Sequence, residues 1–117
     1  MIIAKDTYLV KARMNLGNFF DAPDADVFIE LREPDTKATF KLNNAFTSGD
    51  NERIVITFVE LLPALITAHN LMKTETESYT LTEVAGIIES KLDLFLHVLD
   101  QYKEKVIFTL GKKSGGK

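Results

Sequence analysis

The sequence predicts an α+β fold, mostly α-helical, in which short N-terminal strands are followed by packed helices. Three observations lead there. An apolar stripe with steps of three and four residues runs through the last third of the chain behind a capping signal. An alternating segment lies ahead of it at 26–33. Hydrophobic residues make up 45% of 117 residues, enough for one modest core. One domain over 1–110 is expected at this length.

The elements follow in chain order. Residues 8–14 alternate weakly. Residues 15–24 hold Gly17, two Asn, two Asp and Pro23, and read as a loop or turn. Over 26–33 the pattern is that of a strand. Val27, Ile29 and Leu31 share one face, and Asp26, Glu30 and Arg32 the other. Phe28 interrupts the alternation, which points to partial cover on both faces. Pro34-Asp35 stops the strand, and Asp35 is placed to cap a short helix over 36–46 with Ala38, Leu42 and Phe46 four apart.

Asp50 is the expected N-cap of a second helical region over 51–72. Val55, Phe58, Val59, Leu62, Leu65, Ile66 and His69 keep helical spacing. The β-branched run at 54–57 competes for a strand. Pro63 disfavours helical geometry at Leu62, so a kink or two helices are expected there. His69 would cap the end of this region.

The clearest helix starts behind Thr80, with Glu83 completing a capping box. Leu81, Val84, Ile88, Leu92, Phe95, Leu99, Tyr102 and Val106 form its stripe, which breaks near Lys91 or continues to about Lys105. Leu92 and Phe95 are expected to be buried against 51–72. Ile87, Leu94 and Val98 widen the stripe beyond what one partner helix covers, so they are candidate partner-binding residues and imply a homo-oligomer. Residues 111–117 have no apolar side chain and three glycines, and read as a flexible tail.

Chemistry is sparse. There is no Cys and no Trp, and His occurs twice. Thiol catalysis, disulfides and thiolate metal sites are thereby excluded. Asp93 and His97 lie four apart, but a metal needs three or four ligands, so they read as a surface or interface pair. No phosphate-binding or nucleophile-elbow motif occurs. No catalytic constellation can be assembled, so no enzyme and no cofactor are expected. The net charge of −3 offers no footprint for nucleic acid. The longest apolar stretch, 54–68, contains Glu60 and Pro63 and is too short to span a bilayer. With no basic segment ahead of an apolar one at the start, no signal peptide and a cytoplasmic location are expected. Phe19-Phe20 stand in the loop as a candidate interface anchor, set evenly against one buried and one partly exposed ring.

The order of elements resembles the tail assembly chaperones of long-tailed bacteriophages and prophages. The resemblance is carried by 30–34 (ELREP), the short helix with Leu42, 61–70 (LLPALITAHN), 81–89 (LTEVAGIIE) and 92–102 (LDLFLHVLDQY). It spans roughly 25–108, and residues 1–24 have no counterpart in it. It implies a non-catalytic protein of the host cytoplasm, absent from the mature virion, that binds the tape measure protein before tube polymerisation. It also implies a longer frameshifted product that recruits the tail tube protein. Lys112-Lys113 would suit an A-rich slippery site in that position. A structural tail or head-completion protein retained in the virion is the rival.

Overall fold

The computed structural model describes residues 10–22 and 25–107. It is α+β and mostly helical. Strands β1 (Lys11–Asn15), β2 (Phe28–Arg32) and β3 (Ile66–His69) form an antiparallel sheet in the order β1-β2-β3. Helices α1 (Thr36–Ser48) and α2 (Asn51–Leu65) lie between β2 and β3, and α3 (Leu81–Ser90) and α4 (Leu92–Tyr102) follow. A π-helical turn, Lys103–Ile107, continues from α4. The expected tail and the start of the 8–14 segment lie outside the described residues.

Period-two burial shows how the sheet is used. Ala12 and Met14 of β1 and Ile29 and Leu31 of β2 are buried. On the other face, the Arg13 guanidinium lies 3.8 Å from the centre of the Phe28 ring and pairs with Asp26 at 2.6 Å. Phe28 is thus an outer-face residue half-covered by a cation, which explains the interrupted alternation.

Both expected aspartate caps form. Asp35 accepts from Ala38 N at 2.8 Å, and Asp50 from Glu52 N at 3.1 Å. Between α1 and α2, Gly49 takes a left-handed turn at φ 73°, which suits a residue without Cβ. The Thr80–Glu83 capping box is complete at 3.0 and 3.2 Å.

Two expectations on 51–72 are corrected. Pro63 sits in the last turn of one helix, which ends two residues later. Beyond it the chain turns into β3, because the sheet's open edge at β2 takes up the freed backbone groups. His69 is therefore a strand residue opposite Ile29, and its Nδ1 accepts from Leu71 N at 3.1 Å.

The long stripe divides at Lys91. This residue is extended, at φ −122° and ψ 115°, so it ends α3 and begins α4. The break resets the helical phase. Phe95 is buried and meets Phe58 of α2 edge-on at 5.8 Å. Tyr102 lies 5.4 Å from the same ring. Leu92, expected inside, is instead 70% exposed. Leu94 and Val98, expected at a partner surface, have no exposed area. The reset turns Leu94 and Val98 inward and Leu92 outward.

Candidate functional site

The described surface carries an apolar groove of about 400 Å³, walled by Phe20, Val27, Leu71, Met72, Tyr79 and Ile87, with Asn70 beside them. Val27, just ahead of β2, and three further stretches of chain build it. Phe20 comes from a 3-10 turn, Gly17–Phe20. That turn requires Gly17, since a Cβ there would lie 2.3 Å from Ala22 O. Lys91 pins the turn from above. Its Nζ donates to Phe19 O at 3.3 Å and stands 5.3 Å from the Phe20 ring centre.

The second stretch is the 70–79 loop, closed on itself by main-chain bonds. Tyr79 N donates to Leu71 O at 3.2 Å, and Lys73 N to Glu77 O at 2.8 Å. The Thr74 hydroxyl accepts from Glu77 N at 3.1 Å. Asn70 fastens the loop to β2, accepting from Phe28 N at 2.9 Å and donating to Asp26 O. The third stretch is α3, which supplies Ile87. Lys73 holds the loop to α3 through Glu83 at 3.0 Å. The main-chain N–H of Thr80, then Lys73, hold the Glu83 carboxyl below its ordinary value of 4.5.

The arrangement takes up apolar surface. Both polar ends of the Asn70 amide are spent on the fold. Six of the seven lining residues are apolar or aromatic, and Met72 is 49% exposed among them. Such a groove accommodates apolar side chains of a partner, with Met72 able to repack around them.

The structure separates the five residues chosen from the sequence. Phe20 and Ile87 meet across the groove, both half-buried. Phe19 is half-buried beside it, its ring 5.1 Å from that of His97. Leu94 and Val98 belong to the core and face no partner surface. Sequence reasoning missed Leu71, Met72 and Tyr79. Tyr79 was visible in principle, since it precedes the Thr80 cap at the position of a hydrophobic staple.

His97 thus packs on an aromatic ring, and no group of three metal-ligating side chains occurs among the described residues. No described helix is long and apolar enough to cross a membrane. Compared with protein-family models, curated proteins and solved structures, the chain matches none.

Proposed function

We propose that this chain is a non-catalytic tail assembly chaperone of a long-tailed phage or prophage. It holds an apolar segment of the tape measure protein until the tail tube polymerises around it. One observation carries the reading: an apolar groove with a half-exposed methionine, framed by a loop and helix fixed by hydrogen bonds and an ion pair. An exposed apolar patch of this kind favours docking of an amphipathic client helix. The order of sequence elements noted above supports the same reading.

In this account the chaperone acts in the host cytoplasm and is left out of the virion. A longer frameshifted product brings in the tail tube protein. Self-association proceeds through Leu92 and Leu96, which share the exposed side of α4.

Co-expression with the tape measure protein of the same phage tests the reading. The wild-type chain keeps the tape measure protein soluble, and Met72→Glu, with an unchanged circular dichroism spectrum, does not. Mass spectrometry of purified virions then finds no copy of the chain. Abundant copies in the particle would favour a structural tail or head-completion protein.

A further inference from the structure

A second hollow lies away from the groove, where α1 meets the C-terminal half of α2 near the end of β2. It has a volume of about 160 Å³ and an apolar lining of Ala38, Leu61, Ala64 and Leu65. Two exposed lysines of α1, Lys37 and Lys41, also line it. They stand four residues apart, so both ammonium groups lie on one side of the helix. Neither forms an ion pair among the described residues. The lining also holds Arg32, which donates to Glu33 O at 2.8 Å, and one carboxylate, Asp35, which caps α1 at Ala38 N, 2.8 Å away, so its cations outnumber its carboxylates.

A chain with net charge −3 therefore presents a rim with an excess of cations around an apolar hollow. We propose that this hollow binds an acidic peptide segment of a partner protein. One apolar side chain fills the cavity, and carboxylates on either side of it meet Lys37 and Lys41. The size fits: an apolar cavity of about 150 Å³ admits a benzene ring. The volume here therefore takes one Phe or Leu side chain. The phosphates of a nucleic acid would answer the lysines and leave the apolar lining uncovered, whereas an acidic-apolar peptide answers both. This site shares no residue with the groove and stands independently of the chaperone reading.

Fluorescence anisotropy with a labelled acetyl-EELFEE-amide probe tests the proposal. Acetyl-QQLFQQ-amide, acetyl-EESSEE-amide and a dT20 oligonucleotide serve as comparisons. The acidic-apolar probe binds best, and its affinity falls steeply with salt, as expected for exposed charges. The double variant K37E/K41E weakens it by about tenfold or more, because like charges now face each other. Ala64→Phe fills the hollow from an exposed position and weakens the same probe while leaving the melting temperature unchanged. Equal binding of the acidic and neutral probes overturns the proposal, as does undiminished binding to K37E/K41E. Tighter binding of dT20, lost in the same variant, would make the site one for nucleic acid. Self-association that disappears in K37E/K41E without any probe would make a second copy the occupant. Either result also overturns it.

Discussion

Tyr102 ties the last helix to the sheet with a single hydroxyl. Its ring is buried among Phe58 and the core, and its O–H donates to Arg32 O at 2.9 Å. Burial pushes the phenol well above its ordinary value of 10.0; the nearby Arg32 charge pulls against this, and Glu33 adds to it. The proton is thus held more tightly in the folded chain. Its contribution to stability is whole below about pH 10 and is lost as pH rises beyond that. Tyr102→Phe leaves the Arg32 carbonyl without this donor, at a cost of about 1–3 kcal/mol in urea unfolding at neutral pH. Glu83 has the opposite sign. Its depressed pKa adds stability above about pH 4.5, which is lost as the pH falls below that value. Glu83→Gln should therefore shrink the fall in melting temperature between neutral and acid pH. An unchanged acid profile would remove Glu83 from the account of the loop.

Among the elements, the helices behind good caps were the most legible. Thr80, Asp35 and Asp50 each announced a start that the structure contains. β3 was not legible, because Leu62, Leu65, Ile66 and His69 keep helical spacing across the boundary. Only the pairing with β2, a contact distant in sequence, decides that 66–69 is extended. The break at Lys91 had the larger consequence. A continuous helix over 81–105 would have one stripe, whereas an extended residue in the middle gives two helices with separate faces. That is why Leu94 and Val98 face the core rather than a partner, and Leu92 faces out.

Two substitutions test the helical packing. Phe95→Ala should cost about 3–5 kcal/mol, since it empties a buried site against Phe58. Gly86→Ala lies mid-helix with nothing within 4 Å of an added Cβ. It should stabilise α3 by about 0.5–1 kcal/mol, because Gly has more backbone freedom to lose. A destabilised Gly86→Ala variant in thermal unfolding would contradict the open space around Gly86.

For the whole molecule, the core takes most of the large apolar residues, and the groove exposes a smaller set. The inner face of the sheet and the buried faces of α1, α2, α3 and α4 form the core. What remains outside includes Met72, half-exposed in the groove, and Leu92 and Leu96 on α4. The sequence pattern marked Phe20 and Ile87 but not their meeting. That depends on a 3-10 turn, the approach to β2 at Val27, a ten-residue loop and α3 arriving at one place, a property of the tertiary fold. Calorimetric titration with a helical fragment of the tape measure protein tests the central claim most directly. The wild-type chain and K37E/K41E should bind it with equal affinity, and Met72→Glu should weaken it by about tenfold or more, because a charge is buried without a partner. Equal binding by Met72→Glu and the wild-type chain would contradict the assignment of the groove to the client.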